Sequence, residues 1–143
     1  MKIVFDTSVL IAAFYKPLYG PSFSKDVYDY VIDNETAFVS LEIIAEFRRK
    51  CLQKLRLNFR DTDCLVALIL EKVHLEKLGN FRTALPKNIP LRDPTDRHIL
   101  ELAIAVGANL ILSWDKDLID LRKVKNTRII TPRNFWESIP QLE

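Results

Sequence analysis

The sequence predicts an α/β fold in which a central, mostly parallel sheet is covered by helices on both faces. Short β-branched and aromatic runs alternate along the chain with segments whose apolar residues recur at helical spacing. No two-residue hairpin signal separates the strand-like runs. Strands that are separated by helices in this way indicate a parallel sheet buried between helical layers.

The first elements are a strand, two helices and a second strand. Lys2 to Phe5 form the first strand, and a helix covers Val9 to Phe14. After a loop over residues 16–21, Ser22 is the expected N-cap of a helix that runs to about Asn34. Residues 37–40 then form the second strand.

The middle of the chain is predicted to be helical. Ser40 is the expected N-cap of a helix with apolar residues at helical spacing, namely Leu41, Ile44, Phe47, Cys51 and Leu55. A further helix follows Arg60, and its expected core residues are Cys64, Leu65, Leu68 and Ile69. The stretch from His74 to Leu91 contains Gly79, Pro86 and Pro90 and is expected to be irregular.

The clearest local signal opens the next helix. Asp93 is an N-cap candidate, Pro94 suits the first helical position, and Asp96 places an acid in the first turn. Gly107 is the expected stop, and a buried strand over 109–113 follows.

The end of the chain continues the predicted alternation of helices and strands. Asp117 opens a short helical turn, and residues 127–130 form a last strand. Thr131 and Pro132 cap a closing helix that extends through Trp136.

Composition limits the class of protein. The chain has 143 residues, 48% hydrophobic and 28% charged, which fits one globular domain over 1–143. Its longest apolar stretches are far shorter than the roughly 20 residues of a membrane span, and we expect no signal peptide and no membrane anchor. Cys51 and Cys64 lie among apolar neighbours without metal-ligand spacing, and are expected to be small core residues in a reducing cytoplasm.

Positive charge is concentrated in one segment, although the net charge is only +2. Residues 47–60 contain no acidic residue and carry Arg48, Arg49, Lys50, Lys54, Arg56 and Arg60. This strip could contact phosphates, but a solvated helix face is the slightly better interpretation of the pattern alone.

Four acidic residues carry the functional signal: Asp6, Glu46, Asp96 and Asp115. Asp6 falls at the C-terminal end of a strand, which is the edge where open α/β sheets bind ligands. Two carboxylates about 4 Å apart repel by roughly 4 kcal/mol at an effective dielectric constant near 20, so converging acids hold protons or a cation. Oxygen ligands without cysteine or histidine favour Mg²⁺ or Mn²⁺, which suits phosphodiester hydrolysis.

Structural alternatives exist for each acid. Asp6 could cap the first helix, and Asp96 could be a partner of its helix dipole. Glu46 could pair with Arg49 and Lys50 at one-turn spacing, and by periodicity alone this is the better interpretation. Asp93 is explained as an N-cap, and Asp115 and Asp117 as turn and cap residues.

Other site chemistries have little support in the sequence. Neither His74 nor His98 lies in a metal-ligand or nucleophile pattern. The chain has only three glycines, well separated, so it lacks a glycine-rich phosphate loop.

Four segments together resemble the PIN domain, and more narrowly the toxins of VapC type. They are IVFDTSVL at 3–10, SLEIIAEF at 40–47, RDPTD at 92–96 and LSWDKDL at 112–118. The resemblance covers nearly the whole chain, with the segments in the family's order and spacing. It implies a three-layer α/β/α fold and a metal-dependent endoribonuclease.

The resemblance also implies roles for individual residues. Asp6, Glu46, Asp96 and Asp115 match the acidic tetrad, and this match overrides the local interpretation of Glu46. Asp6, Asp96 and Asp115 would bind Mg²⁺ or Mn²⁺. Arg48, Arg49 or Lys50 would position RNA. Accessory positions are Thr7, Ser8, Ser113 and Asp117, with Asp93 as cap and Glu42 as the alternative to Glu46. Family habits imply a homodimer and a small antitoxin partner.

Three alternative classes stay open. A non-catalytic PIN-like module would bind RNA or protein without cleaving it. An aspartate-nucleophile phosphatase expects a second acid where this chain has Ser8. A receiver domain expects a phospho-accepting aspartate at the end of a middle strand, where this chain has Val39 and Ser40.

Overall fold

The computed structural model describes residues 1–15, 23–77, 89–91 and 93–139. The strands are β1 (Lys2–Phe5), β2 (Thr36–Ser40), β3 (His74–Glu76), β4 (Leu110–Leu112), β5 (Lys123–Val124) and β6 (Thr127–Ile130). The helices are α1 (Thr7–Tyr15), α2 (Phe23–Asn34), α3 (Leu41–Gln53), α4 (Phe59–Lys72), α5 (Arg97–Val106), α6 (Lys116–Leu121) and α7 (Pro132–Ser138). A 3₁₀ turn, Pro94–Asp96, leads into α5.

The strands form one sheet in the order β3-β2-β1-β4-β6-β5. All neighbouring pairs are parallel except β5 and β6, which are antiparallel. Helices flank this sheet, so the predicted α/β class with a mostly parallel sheet is confirmed. The central strands are apolar along their length because both of their faces are buried: Ile3, Val4, Phe5, Ile111 and Leu112 are all fully inaccessible.

Local capping chemistry places the helices as the sequence predicts. Ser40 Oγ accepts the backbone N–H of Ile43 at 3.1 Å, and Thr131 Oγ1 accepts that of Asn134 at 3.0 Å. Gly107 ends α5 in the left-handed conformation, with φ of 68°. These caps fix where each helix starts or stops, and therefore which residues lie at the sheet edge.

Two strands lie where none was predicted. The stretch 74–91 is not wholly irregular, because β3 pairs with β2 through Phe38 and His74. Lys123–Val124 and β6 form a hairpin with the two-residue loop Lys125–Asn126, although the sequence has no such signal. Lys125 adopts a positive φ of 50° without the glycine that usually marks this turn.

Helix α4 is less buried than its spacing predicts. Cys64 is exposed and Leu68 is 52% exposed, so the expectation that both are core residues is wrong. Leu41, in α3, is also 43% exposed. Among the predicted core residues of α4, Ile69 is fully buried. The element against which α4 packs most is α3.

Some predictions fall outside the described residues: the loop over 16–21, the cap at Ser22, and residues 78–88 of the stretch expected to be irregular. Within the described ranges, no helix is both long and apolar enough to cross a membrane.

Replacing Gly107 by alanine should lower the free energy of unfolding by about 1 kcal/mol, because an L-residue in the left-handed region carries a steric penalty. An added Cβ would meet no atom within 4 Å, so the cost is confined to the backbone. Urea denaturation measures the change. Gly107→Asn is the matched control and should cost less, since asparagine tolerates this conformation; equal losses in both variants would contradict this explanation.

Candidate active site

The candidate site lies where the strand order reverses, between β1 and β4. From β1 the next strand along the chain, β2, lies on one side of this point, and from β4 the chain continues to strands on the other side. A crevice forms outside the C-terminal ends of strands at such a switch point, and ligands bind there in open α/β folds. Asp6 directly follows β1, and Ser113 directly follows β4.

Asp6 is buried at this edge, with only 4% of its surface exposed. Its Oδ2 accepts hydrogen bonds from Ser8 Oγ and Ser113 Oγ, both at 2.7 Å, and its Oδ1 accepts the backbone N–H of Thr7 at 2.8 Å. Burial raises the pKa of this carboxyl, the two hydroxyl donors oppose the rise, and the charge of Glu46 adds to it. The bond to Thr7, the first residue of α1, shows that Asp6 also takes part in capping that helix.

Ser113 connects the first acid to the last one. While its hydroxyl donates to Asp6, it accepts the backbone N–H of Asp115 at 2.9 Å. Asp115 Oδ1 in turn accepts the N–H of Asp117 at 2.9 Å and so caps α6. Asp115 therefore has the cap role proposed as its structural alternative, and the Ser113 hydroxyl links its backbone to Asp6.

Glu46 joins α3 to the start of α1. Its Oε2 accepts a hydrogen bond from Thr7 Oγ1 at 3.2 Å, and its Oε1 lies 3.1 Å from Lys50 Nζ. The predicted one-turn salt bridge with Lys50 is therefore present. The contact with Thr7 places the same carboxylate at the edge where Asp6 lies, so the pairing and a role in the site are compatible.

Asp96 is the acid whose charge is least compensated. It is 8% exposed, and its Oδ2 is buried without a hydrogen-bond partner among the described residues. Burial, followed by the negative charges of Asp115, Asp6, Asp93 and Glu46, raises its pKa to about 7. The other three predicted acids are therefore all close enough to act electrostatically on Asp96.

A hard divalent cation fits this donor set. The orphaned Oδ2 of Asp96 lacks a positive partner, and the neighbouring donors are all oxygen atoms. Within the ranges that the structure describes, however, no group of three or more His, Cys, Asp or Glu side chains is arranged to hold a metal ion. Mg²⁺ commonly binds through one or two carboxylates and keeps several waters, which agrees with a site of this kind.

The predicted RNA-contacting residues differ in what they contact. Arg48 pairs with Asp63 of α4, and Lys50 pairs with Glu46. Arg49 instead lines a pocket beside Glu46. Asp93 caps the 3₁₀ turn by accepting the N–H of Thr95 at 3.0 Å, as predicted.

Sequence reasoning gave His98 no role, yet the structure places it in the pocket that Arg49 lines, together with Glu42. Its spacing of two residues after Asp96 was the only available signal, and a single histidine in a helical segment is not distinctive.

Comparison with known proteins identifies the family. The PIN domain family matches residues 2–117, which is most of the chain. The chain belongs to the PIN domain family. Members of this family are generally nucleases that use divalent metal ions. No curated protein matches this PIN domain at a significant level.

A solved structure shares the fold of this PIN domain. The crystal structure of VapBC2 from Rickettsia felis, bound to a DNA fragment from their promoter, superposes with a TM-score of 0.63. The alignment covers 92% of this chain and 98% of the other, at 16% sequence identity. At this identity the likeness establishes the fold.

Asp96 should make stability depend on pH when no metal is bound. The pKa of its carboxyl is raised from 3.8 to about 7, so between these values the folded protein keeps a proton that the unfolded chain releases. The free energy of unfolding should therefore fall as pH rises from 4 to 7, and Asp96→Asn should recover roughly 1–3 kcal/mol at pH 8. Denaturation in EDTA at pH 5 and pH 8 measures this.

The control for that prediction is Asp33→Asn, which replaces an exposed acid of α2. It should leave the pH dependence as in the wild type. A pH dependence that persists unchanged in Asp96→Asn would contradict the assignment.

Ser113→Ala should lower the free energy of unfolding by about 1–3 kcal/mol, because it removes one donor from buried Asp6 and leaves the N–H of Asp115 without its acceptor. Ser138→Ala is a matched control, since the Ser138 hydroxyl donates to the carbonyl of Phe135 within α7, away from the acids. Urea denaturation compares the two. Equal stability of both variants would show that Ser113 does not support the acids.

Proposed function

We propose that this PIN domain is a metal-dependent endoribonuclease that hydrolyses RNA phosphodiester bonds, and that it is the toxin component of a toxin–antitoxin system. The observation that carries the nuclease proposal is the uncompensated Asp96 carboxyl, surrounded by the charges of Asp6, Glu46 and Asp115 at the switch point of the sheet. Membership of a family of nucleases supports the reaction class.

The proposed ligands of Mg²⁺ or Mn²⁺ are Asp6, Asp96 and Asp115, with Glu46 binding directly or through water. When bound, the ion lowers the pKa of a water molecule and offsets charge on the phosphoryl oxygens. The hydroxyls of Ser8 and Ser113 both donate to Oδ2 of Asp6 and so hold this carboxylate in a fixed orientation. The Thr7 hydroxyl donates to Oε2 of Glu46 and orients that carboxylate in the same way.

The expected products follow from water acting as the nucleophile. In-line attack on the phosphate leaves a 5′-phosphate and a 3′-hydroxyl. The buried hydrogen bonds of Asp6 keep this carboxylate rigid, which favours a preorganised site. Of the three residues predicted to position RNA, Arg48 and Lys50 form ion pairs and Arg49 has none among the described residues, so we assign Arg49 first to contact the RNA.

The proposed partners are a small antitoxin, a second copy of the chain and the RNA substrate. The fold shared with VapBC2 supports the antitoxin proposal. We place the protein in the cytoplasm, on the basis that Cys51 and Cys64 are both free thiols.

A non-catalytic binding module is the second candidate function. The absence of a ready three-ligand group in the described part of the chain favours it. Calorimetry with Mn²⁺ separates the two candidates: the nuclease should bind the ion, and a lack of binding would favour the non-catalytic module.

Asp6→Asn should abolish metal-dependent RNA cleavage, with the rate falling at least 100-fold. The substitution removes the central negative charge while keeping a side chain of the same shape. The measurement is cleavage of total RNA with and without Mn²⁺, with analysis of the product ends. Asp33→Asn is the matched control and should retain activity. Unchanged cleavage by Asp6→Asn, or 2′,3′-cyclic phosphate ends, would refute the mechanism.

A further inference from the structure

We propose that a pocket beside the acids binds a guanine base of the substrate RNA. This Glu42 pocket is lined by Glu42, Ala45, Glu46, Arg49, Thr95 and His98, and has a volume of about 350 Å³. The proposal rests on the proposed function for the class of substrate, and adds which base the site selects.

Two elements form the walls of the Glu42 pocket. On α3, positions 42, 45, 46 and 49 are spaced so that their side chains share one helix face. The small side chain of Ala45 leaves space between the two longer ones on either side of it. The opposite wall is made by Thr95, in the 3₁₀ turn, and His98, in the first turn of α5.

Two polar atoms of this pocket lack partners. Glu42 Oε2 and His98 Nδ1 are both buried and form no hydrogen bond within the described part of the chain. A buried polar group without a partner costs about 1–3 kcal/mol, so the unpartnered carboxylate oxygen of Glu42 indicates a ligand that donates hydrogen bonds to this side chain.

The other groups of the pocket supply a defined set of donors and acceptors. Thr95 Oγ1 donates to Asp93 Oδ1 at 2.7 Å, so toward the pocket its hydroxyl can only accept. Arg49 supplies donors, and within the described chain it has no ion pair that would neutralise it. The imidazole of His98 offers a flat face for stacking.

Guanine matches this set best among the four bases. Its N1–H and N2–H₂ are adjacent donors that suit the Glu42 carboxylate and the Thr95 hydroxyl, and its O6 and N7 are adjacent acceptors that suit Arg49. Adenine, cytosine and uracil lack the combination of two adjacent donors and two adjacent acceptors. The pocket therefore discriminates guanine from the other three bases by hydrogen bonding as well as by shape.

The location of the pocket connects it to the reaction. Glu46 lines it and also accepts the hydrogen bond from Thr7, the residue next to Asp6. A base held by Glu42 and Arg49 therefore lies beside the acids, which places a neighbouring phosphate of the same strand at the site of cleavage.

Binding of four fluorescent RNAs, UUGUU, UUAUU, UUCUU and UUUUU, to the wild-type protein in EDTA tests the proposal without requiring cleavage. UUGUU should bind about 10-fold or more tightly than the other three. Glu42→Gln should reduce this preference to about twofold or less, because an amide offers one acceptor where guanine presents two donors. Glu71→Gln, at an exposed position of α4, is the matched control and should keep it.

Arg49→Lys provides a second, independent variant. It keeps the charge but loses the two-pronged contact with O6 and N7, and should also reduce the preference for UUGUU. Arg60→Lys, on the exposed surface of α4, should leave the preference for UUGUU unchanged. Equal binding of the four RNAs, no binding of any, or a preference unchanged in Glu42→Gln would overturn the proposal.

These outcomes are distinguishable from failure of the proposed function. Selective binding of UUGUU by a protein that cleaves no RNA with Mn²⁺ would uphold the pocket and reject the nuclease. Cleavage with Mn²⁺ and no base preference would uphold the nuclease and reject the pocket.

Discussion

The buried carboxylate of Asp6 is the constraint on which the site depends. It lies at the end of β1, where both faces of the sheet are covered, and it is 4% exposed. A charge in this position is tolerated only with donors around it, and Ser8, Ser113 and the N–H of Thr7 supply them. Because Ser113 directly follows β4, these bonds also tie the two central strands together at the edge that carries the acids.

The parallel topology explains why acids far apart in the sequence meet. A helix that leads into a parallel strand begins at the edge where the preceding strands end, and α5 therefore brings Asp96 to the edge that carries Asp6. Helix α3 starts from β2 at the same edge and contributes Glu46. Burial, and after it this concentration of negative charge, raises the pKa of Asp96, which is the physical basis for expecting a cation there.

The sequence predicts most of the fold, because capping residues and apolar periodicity act locally. Ser40, Asp93 and Thr131 cap their helices as predicted. The three-residue β3 and two-residue β5 are too short to show periodicity, and their pairing depends on neighbours that the local pattern does not contain. The exposure of Cys64 and Leu68 likewise depends on which face of α4 packs against its neighbours, and apolar spacing alone does not show this.

The site is less predictable from local patterns than the fold is. Glu46 has the spacing of a surface salt bridge and does pair with Lys50, so only the resemblance to PIN domains assigned it to the tetrad. His98 and Glu42 became notable only when the fold placed them in one pocket with unpartnered atoms. Such juxtapositions arise from tertiary packing, which the spacing of residues along a helix does not reveal.

The most direct measurement of the central claim is the anomalous scattering of crystals soaked in Mn²⁺. We expect a peak about 2.1 Å from a carboxylate oxygen of Asp6 or Asp96, at the edge between β1 and β4. A protein that crystallises in this fold and shows manganese only at other surfaces, with the acids at this edge unoccupied, would contradict a cation-binding site at the switch point of the sheet.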